Sequence, residues 1–324
     1  MTLKILLKLL RKVYKLSKID NNGWIDESKI DYFNQEANDY IREKIISADS
    51  GLMICKFGAV EINAVTCNLL NERGLKFKDY LDYVANKKSI FPEEALNTLC
   101  NNAGFFPENE DLEKKYVDLF LSDITDVDIL ASYVNLERYV DDRMPNVRRV
   151  NLDGFCAPFL WKNPWSSALK DKKVLVVHPF VDSIQKQYEH NREKLFIDKS
   201  VLPQFKSISY VKAVQSNAGN ADSVEFEDWF SALHHMEKEI DKCEYDVAII
   251  GCGAYGMHLA AYVKRKKKIA IHLAGWTQML FGVYGNRWVN DQPEFKQYIN
   301  EYWIRPSESE KPRNLEKVEN GCYW

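Results

Sequence analysis

Asp246-Val247-Ala248-Ile249-Ile250-Gly251-Cys252-Gly253-Ala254-Tyr255-Gly256 is a short apolar run that ends in a glycine-rich turn. A helical pattern follows through Leu259, Ala260, Tyr262 and Val263. A second apolar run, Ile269-Ala270-Ile271-His272-Leu273, then exits into Ala274-Gly275-Trp276-Thr277-Gln278. Apolar runs of this length are the pattern of strands covered on both faces. The stretch therefore reads as a βαβ unit whose two strand exits are rich in small residues, so that a ligand can approach the backbone. In open α/β sheets ligands sit outside the carboxyl ends of the strands, often against a helix N-terminus that favours phosphate. The expectation is an enzyme that handles a phosphorylated small molecule.

The same alternation extends towards the N-terminus. Residues 30–46 read as a helix, and Leu52-Met53-Ile54-Cys55-Lys56-Phe57 as a buried strand exiting at Gly58. Residues 59–145 are mostly helical, with breaks at Gly74, Pro92 and Gly104-Phe105-Phe106-Pro107 and a strand at residues 129–133. Strands are expected at residues 172–177, exiting at His178-Pro179-Phe180, and at 208–214, leading into Asn217-Ala218-Gly219-Asn220. Helices follow each, from Asp182 or Ser183 as cap to about Leu195, and from Phe226 to Asp241. Strands alternating with helices imply an α/β domain with a mainly parallel, Rossmann-like sheet and helices on both faces. The organisation reads as an N-terminal helical extension (1–47), a catalytic domain (48–290) and a polar tail packed over it (291–324).

Composition narrows the function. An apolar share of 46% and a charged share of 28% suit an ordinary globular domain, and a net charge of −3 gives no global basic field for nucleic acid. Seven cysteines stand singly, without a CxxC pair, which argues against structural zinc and a disulfide framework and for a reducing compartment. With no run of about 18 apolar residues and no signal-peptide pattern, the chain reads as cytoplasmic. Residues 1–18 qualify that. Leu3, Leu6, Leu7, Leu10, Val13 and Tyr14 fall on one helical face, Lys4, Lys8, Arg11, Lys15 and Lys18 on the other, and no acid is present. Such a helix either lies on an anionic membrane surface, making the protein peripheral at the inner face of the cell membrane, or docks its leucines on the protein body or a partner.

Three strand exits are expected to converge at one sheet edge. They are Lys56-Phe57-Gly58-Ala59-Val60-Glu61, His178-Pro179-Phe180 with Asp182 and Ser183, and the pair of loops Gly251–Gly256 and His272–Gln278. Glu61, three residues after the glycine and on the first turn of a helix, can act as a general base or hold a divalent cation. It can equally be a carboxylate serving the helix dipole. Lys56, His178, His272 and Arg287 are the basic side chains near these exits and, under the resemblance given below, the candidate cations for a departing diphosphate. Gly282-Val283-Tyr284-Gly285-Asn286-Arg287-Trp288 reads as a covering loop, Arg287 forking a phosphate and Trp288 offering a stacking platform, unless the tryptophan is a buried anchor. Gln185 and Gln187 are two apart on a helix, so only one can face the cleft. His234 and His235 read as an exposed helical pair.

Gly251, Gly253 and Gly256 match the GxGxxG spacing of dinucleotide-binding domains. The Asp or Glu expected about 20 residues on is missing, and His272 ends the second strand there. A nicotinamide oxidoreductase or S-adenosylmethionine methyltransferase is thus the rival enzyme class.

Lys56-Phe57-Gly58-x-x-Glu61, together with Gly251-x-Gly253-Ala254 and His272-Leu273-Ala274-Gly275, resembles the GT-D glycosyltransferases over roughly residues 45–288. The Gly-Cys-Gly-Ala-Tyr-Gly and Trp-Thr-Gln-Met-Leu-Phe-Gly segments are similar to transferases of bacterial surface-polysaccharide biosynthesis. The resemblance implies a nucleotide-sugar donor, a UDP-sugar foremost, and a glycan or lipid-linked acceptor. It also implies an Asp-x-Glu pair associated with Mn²⁺ or Mg²⁺. Here Ala59 replaces the Asp and Lys56 the usual Arg, so Glu61 would need Asp182, Asp153 or the diphosphate itself to complete a metal shell. The donor-site expectation comprises Lys56, Phe57, Gly58, Asp182, Ser183, Gly251, Gly253, Ala254, Tyr255, Gly256, Gly275, Gln278, Arg287 and Trp288, with Glu61, His178 and His272 as catalytic candidates. A non-catalytic nucleotide-sugar-binding module, having lost the metal Asp, is the remaining rival.

Overall fold

The computed structural model describes residues 3–17, 25–217, 220–314 and 321–324. Lys18, Ala218 and Gly219 of the sequence reading lie outside the described residues. Seven strands, β1 (Leu52–Cys55), β2 (Ile129–Ser132), β3 (Arg148–Asn151), β4 (Lys173–His178), β5 (Ser207–Lys212), β6 (Val247–Ile250) and β7 (Ile269–His272), form one sheet in the order β3-β2-β1-β7-β6-β4-β5. Every pairing in it is parallel.

Eleven α-helices accompany them among the described residues. They are α1 (Leu3–Leu16), α2 (Asn34–Ser47), α3 (Ala59–Glu72), α4 (Phe77–Val84), α5 (Pro92–Thr98), α6 (Glu110–Asp123), α7 (Leu152–Cys156), α8 (Val181–Asn191), α9 (Trp229–Asp241), α10 (Gly256–Arg265) and α11 (Trp276–Leu280).

Alternate side chains of the strands feed two cores. Leu175 and Val177 of β4, Ala248 and Ile250 of β6, and Met53 and Cys55 of β1 join α3, α5, α6, α9 and α10. Val174, Val176, Val247, Ile249, Leu52 and Ile54 join α2, α7, α8 and α11 on the opposite face. Each fully buried aliphatic side chain contributes about 1.5–3 kcal/mol. The sheet is thus covered on both faces, as the unalternating apolar runs require.

Register places the strand ends level. Val177 of β4 pairs with Ile250 of β6, Ile250 with His272 of β7, and His272 with Cys55 of β1. The connection from β4 runs outward through α8 on one face, whereas that from β6 runs the other way through α10 on the other. Connections that part in this manner open a crevice at the carboxyl edge between the two strands.

Several local expectations are corrected. The edge strand β3 escaped the sequence reading because Arg148-Arg149-Val150-Asn151 has a single apolar residue. The helix expected from residue 30 begins at Asn34, because Tyr32 is held in a parallel bridge to Val150. Helix α9 starts at Trp229, where the Asp228 carboxylate accepts from Ser231 N at 2.7 Å. Neither Asp182 nor Ser183 caps α8; its N-cap is Phe180.

Candidate functional site

The exits of β1, β4, β6 and β7 enclose a cavity of about 230 Å³ at the carboxyl edge. Lys56, Gly58 and Glu61 enter from β1 and α3, His178 from β4, Gly251, Cys252, Gly253 and Tyr255 from the turn after β6, and His272, Gly275 and Gln278 from β7 and its loop. The turn is tight. Gly253 adopts φ +57°, and a Cβ there would stand 2.6 Å from the Ala103 carbonyl, so only glycine fits. Ala274, at φ +53°, holds a left-handed conformation without being glycine, a local strain of roughly 1–3 kcal/mol that the surrounding packing must sustain.

Among the described residues, one acid and two cations line this cavity. Glu61 folds back over the N-cap of α3: a Cβ on Gly58 would lie 1.9 Å from Glu61 Oε2. Lys56 Nζ sits 3.5 Å from the Tyr133 hydroxyl and 5.0 Å from its ring centre. Burial alone would lower the Lys56 pKa, but Tyr133, Cys156, Tyr323 and Glu61 outweigh it and hold the ammonium above its ordinary value, so it is charged. Tyr133 donates to the Phe57 carbonyl at 2.9 Å. Its own backbone is fixed by Glu137, whose carboxylate receives Tyr133 N at 3.0 Å and Arg149 Nη1 at 2.7 Å. The Arg287 guanidinium lies 4.4 Å from the Tyr323 ring centre and donates to Cys322 Sγ at 3.4 Å.

The two histidines are neutral. His178 is buried, its Nδ1 accepts from Phe180 N at 3.0 Å, and the ring proton therefore resides on Nε2. Burial lowers its pKa to about 3. His272 is likewise at about 3, pushed down by burial and then by Lys56, with a smaller opposing pull from the Lys56 backbone. Neither ring nitrogen of His272 completes a hydrogen bond, and its Nε2 presses on Gly256, where a Cβ would stand only 2.3 Å away. Neither histidine is a cation at neutral pH, which corrects their expected share in neutralising a diphosphate; they can serve as neutral hydrogen-bonding groups. Gln278 donates to the Tyr323 carbonyl at 3.1 Å and leaves Oε1 without a partner.

Other candidates fall outside the cavity. Asp182 is exposed and paired with Lys212 at 3.1 Å. Glu310 of the tail occupies the N-terminus of α8, receiving Asp182 N at 2.8 Å, Ser183 N at 3.2 Å and the Ser183 hydroxyl. The anion position of α8 is therefore already filled by a protein carboxylate. Trp288 is fully buried, 5.7 Å from the Trp276 ring, so it is a core anchor and offers no stacking face. The Phe57 ring packs 5.4 Å from Phe120 in the core, and Ala254 and Gly256 are buried behind the turn. Gln187 is spent on the carbonyls of Gly282 and Tyr302, and Gln185 on Glu189, so neither faces the cleft. His234 and His235 are exposed, as expected.

The described residues do not form a divalent-cation site. Among the described residues, Glu61 is the sole acid side chain lining the cavity, and neither Asp182 nor Asp153 lines it. No group of three His, Cys, Asp or Glu side chains converges among the described residues.

Sequence reasoning missed one wall of the cavity. Gln215, Ser216 and Asn217 follow β5, and Pro312, Gly321, Cys322 and Tyr323 come from the tail. Ser216 lies 3.0 Å from the Tyr255 hydroxyl and donates to the Gly104 carbonyl, tying β5, the turn and the segment before α6 together. The concentration of small and aromatic residues in Gly321-Cys322-Tyr323-Trp324 was the available signal.

At the position about 20 residues beyond Gly251, where a dinucleotide domain places its ribose-binding acid, stands the buried His272. No helix among the described residues is long and apolar enough to cross a membrane. The chain matches no protein-family model, no curated protein and no solved structure.

Proposed function

We propose that this chain is a glycosyltransferase that takes a nucleotide-diphosphate sugar, a UDP-sugar foremost, and transfers the sugar to a glycan or lipid-linked acceptor. One observation carries the reading. Of the helices that directly follow a strand at the carboxyl edge, the three longest are α3, α8 and α10, and two of these have protein carboxylates at their N-termini: Glu61 at α3 and Glu310 at α8. The third, α10, has no acid in its first turn and no side-chain cap, and the turn before it lines the cavity with glycine backbone. An anion at that end supplies the charge that the helix dipole favours. Among the described residues lining the cavity, Lys56 and Arg287 stand beside the one acid Glu61, which suits a diphosphate more than a neutral ligand.

In this reading the bond between the anomeric carbon and the diphosphate breaks, and the acceptor oxygen forms the new bond. Glu61 takes the acceptor's hydroxyl proton, and Lys56 and Arg287 balance the charge on the departing diphosphate. His178 offers an Nε2 proton as a neutral donor.

Thermal shift of the full chain with UDP, GDP, CMP, UDP-sugars, NAD and S-adenosylmethionine, each with and without Mn²⁺, tests it. Ligand at a hundredfold excess over Kd stabilises the fold by about 2.7 kcal/mol. A shift with one nucleoside diphosphate, lost in Lys56→Ala, is expected. A shift with NAD or S-adenosylmethionine and none with any nucleoside diphosphate would sink the proposal.

A further inference from the structure

Helix α1 is mounted the opposite way round from a leucine-docked helix. Lys4 pairs with Glu93, Lys8 with Glu94 at 2.6 Å, and Arg11 donates to Asn86 at 2.6 Å while lying 4.4 Å from the Tyr83 ring centre. Only Leu7 is buried, in a small cluster with Tyr83 and Ile90. The apolar face is left outward, with Val13 65% and Leu16 75% exposed, and α4 extends it with Phe77 at 77%. Among the described residues, nine of the twelve exposed large apolar side chains lie on these two helices, seven on α1 and two on α4. Such a concentration marks an interaction surface.

The charges beside this face say what covers it. Lys12 and Lys15 on α1 and Lys76 and Lys78 at the start of α4 are exposed. The acids of α4, Asp79 and Asp82, are buried against Lys88 at 2.7 and 3.2 Å. The acids that α1 contacts among the described residues, Glu93 and Glu94, are matched by Lys4 and Lys8. An outward apolar face rimmed by lysines complements an anionic bilayer surface. A second copy would set two lysine rims against each other.

We propose that α1 and α4 together form a membrane-docking surface that seats on the anionic face of a lipid bilayer, the apolar side chains entering the headgroup boundary and the lysines meeting lipid phosphates. The inference does not depend on the transferase reading. It does link to the cavity: α5 starts at the Glu93–Glu94 anchor and its helical path continues to Asn102 and Ala103 in the cavity wall, about 15 Å away at 1.5 Å per residue.

Flotation of the full chain with vesicles tests the surface. Binding to phosphatidylcholine vesicles containing about a third phosphatidylglycerol is expected, weakened by salt and by more than about tenfold in Lys12→Glu/Lys15→Glu. Leu6→Glu/Leu10→Glu/Val13→Glu should reduce it about a hundredfold or more, with an unchanged melting temperature because all three positions are exposed. Four results would each overturn the proposal: no binding at low salt, equal binding to purely neutral vesicles, undiminished binding by the triple variant, or a solution dimer that the triple variant dissociates.

Discussion

Gly58→Ala separates the position of Glu61 from the stability of the fold. The backbone at Gly58, φ −70° and ψ 136°, suits alanine without strain. The new Cβ, however, would stand 1.9 Å from Oε2, 2.4 Å from Oε1 and 2.3 Å from the carboxyl carbon of Glu61. Ordinary contact begins beyond 3.4 Å, so the whole carboxylate must move by more than an ångström. It can do so by rotating about its own side chain, since its Cα is untouched. Replacing an N-cap glycine by alanine costs roughly 0.5–1 kcal/mol. The loss of freedom in the unfolded chain returns about 0.4–1 kcal/mol. The melting temperature should therefore shift by no more than about 2–4 °C.

Transfer, in contrast, should fall about 10²–10⁴-fold, as for the loss of a general base. The assay is release of nucleoside diphosphate from a UDP-sugar, with water or glycan as acceptor, for wild type, Gly58→Ala and Glu61→Ala. The two variants should fall together while both retain the donor-induced thermal shift. Full activity in Gly58→Ala beside a dead Glu61→Ala would refute the reasoning, because the carboxylate over Gly58 would not then be in its working position.

Three further outcomes follow from the packing. Burial holds His178 and His272 at about 3 against an ordinary 6.5, worth on the order of 5 kcal/mol per ring. Because the folded values are depressed, that stability is present above pH 6.5 and is lost as pH falls towards 3. Glu113 acts oppositely, raised to about 7 by burial, so its destabilisation fades as pH falls from 7 to 4.5. Urea midpoints of wild type and His178→Gln between pH 7.5 and 4 should therefore converge on acidification, and a constant gap would contradict the buried neutral ring. Trp288→Ala should cost about 3–5 kcal/mol, whereas Trp288→Phe keeps the donor-induced thermal shift; loss of that shift in a folded Trp288→Phe would restore its role as a platform. Glu310→Ala strands two backbone donors and a hydroxyl, about 1–3 kcal/mol, and should speed proteolysis of the tail; an unchanged digestion rate and melting temperature would refute the anchoring role.

The fold was legible because both faces of this sheet are buried, so Val247–Ile250, Ile269–His272 and Val174–His178 announce themselves as continuous apolar runs. Glycines at the strand exits then indicated which edge holds a cavity. The failures have a common physical origin in contacts distant along the chain. Whether Trp288 faces ligand or core depends on Trp276 and the tail, and whether Ser183 is available depends on Glu310, 127 residues on. A local pattern can identify a helix N-terminus but not what already occupies it.

Glu310 also gives the tail a definite role. By holding the start of α8, it keeps residues 307–312 against the domain, and Pro312 and Gly321–Tyr323 form a wall of the cavity. Tyr323 lies beneath the Arg287 guanidinium, and its carbonyl receives Gln278. The same ring would occupy any Cβ on Gly275, at 2.1 Å, so the β7 exit loop and the tail fit only because Gly275 has none. The last residues therefore complete one wall of the cavity. One of its cations, Arg287, contacts residues more than thirty positions later in the chain. The domain expected to end at residue 290 thus shares one wall of its cavity with the tail that follows it.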